Sequence, residues 1–171
     1  SMPRLGTFNL HASLLPQYRG AAPIKWAVMN GDTETGATTF MLKHEIDTGN
    51  VIFQEKISIA DDENVESVHN RLMHLGTGLV TRTVDAIIES ENTGSPLATT
   101  PQVESLDLRP APKIFKETCR IDFSRTAEQI YNHVRGLSPY PAAWIGEDTP
   151  THPLAEMLRG AKVYKVAKIH V

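Results

Sequence analysis

The first ninety residues contain both strand-like and helix-like patterns of apolar positions. Short apolar runs over 6–11, 37–42 and 51–59 predict three β-strands, and turn-forming residues separate the second run from the third. The stretch 21–30 predicts a helix, because Pro23 stands in its first turn, where proline is tolerated. This half of the chain therefore mixes strands and helices.

A longer helix is predicted to follow, from an N-cap at Asn64 to about Ser90. Its apolar residues recur at steps of three and four, so they form one stripe along the helix. The stripe consists of Val65, Val68, Leu72, Leu75 and Leu79. We interpret the stripe as core packing rather than as a binding surface.

The pattern changes beyond residue 91. Residues 92–112 have no periodicity and contain four prolines, which predicts a linker. A short strand over 119–123, a helix and a final strand over 163–171 are expected after it. The expected parts are a first domain at 1–91, a linker at 92–112 and a second domain at 113–171.

Charge is distributed unevenly between these parts. Residues 1–112 carry 8 Lys and Arg against 14 Asp and Glu, whereas residues 113–171 carry 9 against 6. Lys and Arg neutralise phosphates in nucleic-acid complexes, so the basic second part could bind a polyanion. A small positive balance is also common on ordinary solvated surfaces. Both interpretations stay open on charge alone.

Composition restricts the class of protein. The apolar content of 40%, with 11 glycines in addition, is typical of a globular chain and excludes a disordered or collagen-like one. No apolar run approaches the roughly 18 residues that a membrane span needs. The single cysteine, Cys119, cannot form an intrachain disulfide, and the first residues lack the regions of a signal peptide. We therefore expect a cytoplasmic protein with no membrane partner.

The residue pair with candidate chemistry is Asn9 and His11, at the end of the first predicted strand. Residues i and i+2 of a strand project from the same face, so an amide and an imidazole would point into one pocket. Asp47 lies in the turn-rich segment IDTGN, where its carboxylate could accept a hydrogen bond from the imidazole and favour the charged ring. The Asn9 amide and a charged His11 would then donate to an oxyanion that develops on a carbonyl.

The spacing also fits a purely structural interpretation. An Asn-x-His pair on a strand is a weak signal in a chain with seven histidines. His69 and His74 are five residues apart, which is not the spacing of a helical metal pair. His44 and Asp47 would supply only two ligands, so no metal site is expected.

A family resemblance is carried by the stretch FNLHASLLPQYRGAAPIKWAVMNGDTETGATTFMLKHEIDTGNVI (8–52), which is similar to the signature of the folate-dependent formyltransferases. The shared features are the Asn-x-His pair, the Ser-Leu-Leu-Pro loop, an Arg-Gly pair and an Asp-x-Gly turn. Within the family, RGAAPI (19–24) and KIFKETCRIDFSRTAEQIYNHVRGLSPYPAAW (113–144) resemble the members that formylate methionyl-tRNA. The resemblance implies an α/β fold, with the C-terminal part of a Rossmann-like catalytic domain followed by a partial, OB-like β-barrel domain.

The resemblance also implies a reaction. A formyl group would pass from 10-formyltetrahydrofolate to the α-amine of initiator methionyl-tRNA. Asn9 and His11 would stabilise the oxyanion, and Asp47 would hold His11 and help to move protons from the amine. The loop beside the acceptor and the folate would consist of Ser13, Leu14, Leu15, Pro16, Arg19 and Gly20, with the Leu15–Pro16 bond a candidate for the cis form. Contacts to the tRNA backbone, chosen on charge alone, would come from Lys113, Lys116, Arg120, Arg125 and Arg135.

Other expectations follow from the same resemblance. The family pattern has a nucleotide-fold half before the Asn-x-His strand, so we expect a fragment, inactive alone, of a protein that is monomeric at full length. An amino-sugar formyltransferase would share Asn9, His11 and Asp47, and an RNA-binding fragment with an idle triad is a further alternative. Glycinamide ribonucleotide formyltransferase is disfavoured because that relative lacks a basic second domain.

Overall fold

The computed structural model describes residues 3–103, 107–146 and 157–168. The first part of the chain is built on a three-stranded antiparallel sheet of β1 (Phe8–His11), β2 (Glu34–Met41) and β3 (Val51–Ser58), in that spatial order. All three strands were predicted. The β1–β2 register pairs Asn9 with Phe40 and His11 with Thr38, which places the candidate amide and imidazole on one edge strand.

Two helices complete this unit, α1 (Pro23–Met29) and α2 (Val65–Thr93). The predicted N-cap of α2 is confirmed, because the Asn64 side chain accepts a hydrogen bond from Ser67 N–H at 3.0 Å. The helix continues three residues beyond its predicted end and stops where Gly94 adopts a left-handed conformation. The predicted stripe faces the core, with Val65, Val68, Leu72 and Leu79 buried and Leu75 packed against them.

Within the described ranges, no helix combines the length and the apolar character that a bilayer crossing requires.

The second part contains α3 (Ala127–Leu137) and a two-stranded antiparallel sheet of β4 (Ala143–Trp144) and β5 (Lys162–Val163). Thr126 begins α3 with a reciprocal capping box. The predicted strand over 119–123 was wrong: a 3₁₀ turn spans Glu117–Cys119, and only Arg120 forms a bridge, to Trp144. The turn forms because the Lys116 carbonyl accepts the Cys119 N–H locally. The last predicted strand, 163–171, lies partly outside the described residues.

The two parts share a core at the contact of α1 with α3. Met29 of α1 is buried in one cluster with Val134 and Leu137 of α3. The helices approach closely because residue 136 is glycine: a Cβ on Gly136 would lie 2.5 Å from Met29 Cγ and 2.8 Å from Met29 N. The second part is therefore packed directly on the first.

The segment predicted as a linker is attached to the first sheet and to its loops. Thr100 exchanges two backbone hydrogen bonds of 2.8 Å with Val51, at the start of β3. Further along, Ala111 pairs with Gly20, and the Arg109 carbonyl accepts the Tyr18 N–H at 2.8 Å. This segment therefore helps to position the loop that follows β1.

Candidate active site

His11 is the central residue of the candidate site, at the end of β1. Its side chain is only 7% exposed, and its Nε2 donates to the Tyr18 carbonyl at 2.8 Å. The ring meets the Phe40 ring edge-on, with the centroids 6.5 Å apart. His11 Nδ1 faces Asp47 Oδ2 at 3.6 Å, which is an ion-pair approach and longer than a formed hydrogen bond. The structure therefore brings the imidazole and the carboxylate together, at a distance several tenths of an ångström longer than that of a hydrogen bond.

Asp47 is held by the loop on the opposite side of the site. The Gly20 N–H donates to Asp47 Oδ2 at 2.9 Å, and the side chain of Asp47 is 12% exposed. Asp47 itself has φ +56°, a left-handed conformation that a residue other than glycine rarely adopts. The turn lies tightly on β2, because a Cβ on Gly49 would lie 1.5 Å from the Met41 carbonyl oxygen. The turn that contains Asp47 and the Gly20 N–H therefore both fix the orientation of the Asp47 carboxylate.

Asn9 lies two residues before His11 on β1, so the two side chains project from the same face of the strand. Asn9 is exposed, whereas His11 is buried. An exposed amide beside a buried imidazole offers an N–H donor at the mouth of the site. The described contacts bring His11 and Asp47 together, whereas Asn9 is exposed.

The loop 12–20 after β1 is held in a specific conformation by hydrogen bonds. Ser13 is fully buried; its Oγ donates to the Gln17 carbonyl at 2.6 Å, and its own carbonyl accepts from Thr38 Oγ1 at 2.6 Å. The Leu15 N–H donates to the same Thr38 oxygen at 3.2 Å. The Leu15–Pro16 bond is cis, as the sequence suggested. These contacts give Ser13 and Leu15 a structural role inside the loop, whereas Leu14 and Pro16 are half-buried.

Gly20 closes this loop at a position that only glycine fits. Its φ is +126°, and a Cβ would lie 2.5 Å from the Ala111 carbonyl oxygen. The neighbouring Arg19 donates from Nε and Nη2 to Gln102 Oε1, at 3.1 and 2.7 Å. Gln102, which sequence reasoning missed, donates in turn to the Asp47 carbonyl at 2.8 Å.

Tyr18 is a second residue that the sequence did not single out. It is 3% exposed with φ +60°, and its hydroxyl donates to Asp32 Oδ2 at 2.7 Å. Arg109 covers the ring at 4.9 Å and forms a two-pronged pair with the Asp32 carboxylate at 2.8 and 2.9 Å. Burial, with the Asp32 carboxylate, raises the pKa of the Tyr18 phenol well above its usual range. The network fixes the carbonyl that accepts from His11.

The basic residues chosen on charge occupy different environments. Lys113, Lys116, Arg120 and Arg125 are exposed on the second part of the chain. The Lys116 ammonium lies 5.5 Å from the centre of the Trp144 ring, and Arg125 approaches Asp122 at 3.9 Å. These four side chains lie at the surface, where they can reach a ligand.

Arg135 is a correction to the charge-based choice. It is 8% exposed, its Nε donates to Asn132 Oδ1 at 2.7 Å, and its Nη1 donates to the carbonyls of Ala60 and Glu63 at 3.2 and 2.9 Å. A buried guanidinium that donates to these two carbonyls and to Asn132 is not available to a phosphate. Arg135 instead joins α3 to the loop that precedes α2.

The arrangement suits polar chemistry on a carbonyl. Among the described residues, no group of three or more His, Cys, Asp and Glu side chains could hold a metal ion. The site offers an exposed amide and an imidazole between a carbonyl and a carboxylate, and the Gly20 N–H holds that carboxylate. Groups of this kind orient a nucleophile and stabilise negative charge on a carbonyl oxygen.

Comparison with known sequences identifies relatives of both parts. Residues 1–84 match the family described as "Formyl transferase", and residues 113–168 match "Formyl transferase, C-terminal domain". The methionyl-tRNA formyltransferase of Bacteroides fragilis is 67% identical over 147 residues, which cover 84% of this chain and 44% of that protein. The enzyme of the same name from Bacteroides thetaiotaomicron is 58% identical over 170 residues, which cover 99% of this chain and 51% of that protein.

Solved structures show the same fold at lower identity. A 4-N formyltransferase from Francisella tularensis matches with a TM-score of 0.73 and 21% identity, over 95% of this chain and 63% of that one. A sugar N-formyltransferase from Shewanella gives a TM-score of 0.68 and 20% identity, over 96% and 62%. HypX from Aquifex aeolicus, in complex with tetrahydrofolic acid, gives 0.62 and 23%, over 81% and 23%.

The chain spans about half the length of the curated relatives that it matches. Its two parts match the two successive domains of one family, and the α/β arrangement matches the fold of solved formyltransferases. On these grounds the chain belongs to the formyltransferase family.

Proposed function

We propose that the full-length protein transfers a formyl group from 10-formyltetrahydrofolate to the α-amine of initiator methionyl-tRNA, in the cytoplasm and as a monomer. The observation that carries the proposal is the 67% identity with a methionyl-tRNA formyltransferase over 147 residues, which cover 84% of this chain. The sugar N-formyltransferase from Shewanella is only 20% identical and supports only the fold. The acceptor is therefore proposed to be an aminoacyl-tRNA rather than an amino sugar.

The proposed reaction is an acyl transfer through a tetrahedral intermediate. The amine attacks the formyl carbon, the carbonyl oxygen becomes an oxyanion, and the carbon–nitrogen bond to the folate breaks as the oxyanion collapses. Asn9 supplies an amide N–H to the oxyanion from the exposed face of β1. Such a donor typically contributes about 2.7–4 kcal/mol to transition-state stabilisation.

His11 and Asp47 are proposed to act as a pair in the same step. Because Nε2 already donates to the Tyr18 carbonyl, Nδ1 is the ring nitrogen that remains for the reaction. Its only described partner is Asp47, at the longer distance of 3.6 Å. A protonated Nδ1 would donate to the oxyanion, while Asp47 would accept a proton from the attacking amine. The proton would then pass to the folate nitrogen that leaves, so that the reaction balances without added acid.

The proposed tRNA surface lies on the second part of the chain. Lys113, Lys116, Arg120 and Arg125 are exposed there, and their charges would neutralise backbone phosphates. We propose the division at 1–91, 92–112 and 113–171 as the separation of catalytic and RNA-binding functions, with Ser13 to Pro16 and Arg19 to Gly20 beside the folate and the acceptor.

The test is formyl transfer by the purified full-length protein with 10-formyltetrahydrofolate and one of three acceptors. Initiator tRNA charged with methionine is expected to accept the formyl group, whereas uncharged tRNA and a nucleotide-linked amino sugar are not. Transfer to the amino sugar alone would replace the proposal with the sugar enzyme. Binding of tRNA without any transfer would favour the idle RNA-binding protein.

A His11→Ala variant separates catalysis from binding in the same assay. Formyl transfer is expected to fall by about 10²-fold or more, because a positioned proton donor is lost. The affinity for tRNA should stay at the wild-type value, since His11 is buried and distant in sequence from the basic surface. A normal rate in this variant would remove His11 from the mechanism.

A further inference from the structure

Gln102 connects the turn that carries Asp47 with the loop that carries Arg19. Its Nε2 donates to the carbonyls of Asp47 and Gly49, both at 2.8 Å. Its Oε1 accepts from Nε and Nη2 of Arg19, at 3.1 and 2.7 Å. The side chain therefore reaches both sides of the candidate site from a segment more than fifty residues further along the chain.

All the hydrogen-bonding capacity of the Gln102 amide is used in these contacts. A primary amide has two N–H groups and two lone pairs on its oxygen, and the four bonds described above fill them. The amide has only one satisfactory orientation, because the reverse would place its oxygen against two carbonyls and its N–H groups against a guanidinium. Gln102 therefore joins these two loops through an amide that fits in one orientation.

The backbone around Gln102 directs the side chain inwards. Pro101 and Val103 are exposed, whereas Gln102 between them is half-buried. Thr100 is paired with Val51 by two backbone hydrogen bonds, which fixes the segment against the start of β3. The direction of the Gln102 side chain thus follows from the pairing of its neighbours.

Asp47 needs such support because its own conformation is unfavourable. Its φ of +56° costs free energy for any residue with a Cβ, and such conformations persist only when the surroundings enforce them. Gln102 holds the Asp47 carbonyl, while Gly20, next to Arg19, holds the carboxylate. The contacts close a ring that runs from Asp47 through Gln102, Arg19 and Gly20 back to Asp47.

We propose that Gln102 is a positioning residue for catalysis, which fixes the Asp47 carboxylate relative to His11 by locking the Asp47 turn to the Arg19 loop. The proposal rests on the proposed function, because Asp47 must take part in formyl transfer for its position to matter. Displacement of a reacting group by about 1 Å can lower a rate by 10²-fold. Gln102 touches neither substrate nor His11 in this role.

The test is a double-mutant cycle in the full-length protein, with Gln102→Met and Gln102→Glu each made in the wild type and in Asp47→Asn. Methionine keeps the length of the side chain and removes all four bonds. Glutamate keeps the contact with Arg19 and loses both donations, so it is the variant to use if the methionine variant is unstable. Gln129→Met, which removes an amide from the capping box of α3, is the matched control.

In the wild-type background, both Gln102 variants are expected to lower kcat by ten- to a hundredfold and to leave the KM of both substrates within about twofold. In the Asp47→Asn background, the same variants should cause no further loss, because the group they position is already absent. A structural defect alone would lower activity by the same factor in both backgrounds. Gln129→Met should reduce thermal stability and leave kcat unchanged.

Two results in the Gln102 variants would overturn the positioning role alone. One is a wild-type kcat in both Gln102 variants, and the other is an equal loss in the two backgrounds. An Asp47→Asn variant with normal kcat would instead refute the catalytic role of Asp47, and the proposal for Gln102 with it. Loss of kcat in Asp47→Asn together with independent losses in the Gln102 variants leaves the proposed function standing and rejects only the positioning role.

Discussion

Gly20 and Asp47 are joined by a hydrogen bond of 2.9 Å from the Gly20 N–H to Asp47 Oδ2, although 27 positions separate them in the chain. The same carboxylate oxygen lies 3.6 Å from His11 Nδ1. One oxygen is therefore shared between a main-chain donor and the imidazole. The main-chain bond holds the carboxylate in place, so its orientation does not depend on the charge state of the ring.

The first prediction concerns Asp47→Asn. Asparagine keeps an oxygen that can accept the Gly20 N–H, so the melting temperature should change little. The negative charge and the proton acceptor are lost, and kcat for formyl transfer should fall by about 10²–10⁴-fold. Asp62→Asn, at an exposed position, is the control and should behave as the wild type in both measurements. Equal rates in the two variants would contradict the role given to Asp47.

The second prediction concerns Gly20→Ala. A methyl group there would meet the Ala111 carbonyl oxygen at 2.5 Å and require a φ of +126°, so the unfolding free energy should fall by about 1–3 kcal/mol or more. Formyl transfer should fall as well, because the donor to Asp47 is displaced.

Gly78→Ala is the matched control for this glycine. Gly78 lies inside α2, and a Cβ there would meet nothing within 4 Å. Alanine should therefore stabilise the protein by about 0.5–1 kcal/mol. Urea denaturation of the two variants measures both effects, and a Gly20→Ala variant as stable as the wild type would show that the loop can rearrange.

The third prediction concerns the pH dependence of stability at Glu63, before α2. Burial opposes the charged form, but hydrogen bonds from Ala60 N–H, Ser67 Oγ and Arg71 outweigh it and lower the pKa of the Glu63 carboxyl. A carboxyl whose pKa is lower in the folded state stabilises the protein above its unfolded pKa. That contribution is lost as the pH falls through the folded pKa.

The measurement compares the wild type with Glu63→Gln by urea denaturation from pH 7 to pH 3. The wild type should be more stable at pH 7, and the difference should shrink as the pH falls below the ordinary carboxyl value of 4.5. Glu66→Gln, at an exposed position in the first turn of the same helix, provides the comparison. A difference that stays constant down to pH 3 would mean that the charge of Glu63 does not contribute.

The fourth prediction separates Arg135 from Arg125. Arg135→Ala removes a charged donor and its hydrogen bonds to the Ala60 and Glu63 carbonyls, and should lower the unfolding free energy by about 1.5–3 kcal/mol. Arg125→Ala removes an exposed pair at 3.9 Å, and its effect on stability should stay below about 1 kcal/mol. Denaturation midpoints report both values.

The affinity for tRNA should respond the other way round, with a larger effect of Arg125→Ala than of Arg135→Ala. Loss of a phosphate contact at Arg125 should weaken binding and reduce its salt dependence by about one released ion. Arg135→Ala should leave that salt dependence unchanged below its unfolding temperature, because the side chain is buried. A smaller salt dependence in Arg135→Ala would place this arginine at the RNA after all.

Local patterns predicted the strands β1 to β3 and the helix α2 because each is determined by neighbouring residues. The strand-like run over 51–59 and the cap at Asn64 need no distant partner to be recognised. The strand predicted over 119–123 does not form, because so few residues carry too little periodicity to distinguish a strand from the end of a 3₁₀ turn. Local signals therefore identified these strands and the long helix, and failed at the short turn.

The candidate site was only partly accessible to the same reasoning. His11 and Asp47 were singled out by residue type and family resemblance, and the structure places their side chains 3.6 Å apart. Gln102 contacts Arg19 across 83 positions, inside a segment whose composition suggested only a linker. Arg135 was selected on its charge alone, and a count of charges cannot distinguish an exposed arginine from a buried one that donates to carbonyls. Contacts between distant side chains need the folded chain.

The joint between the two parts has a consequence for any ligand that touches both. Gly136 places α3 against Met29, and Arg135 donates to the carbonyls before α2. A rotation of the second part would therefore expose apolar surface and leave a buried guanidinium without its acceptors. A macromolecule that bridges the two parts therefore meets a preorganised platform. Its association incurs little entropic penalty for freezing interdomain motion. The ligand must also be long enough to span a distance between its two contact sites that the protein itself keeps fixed.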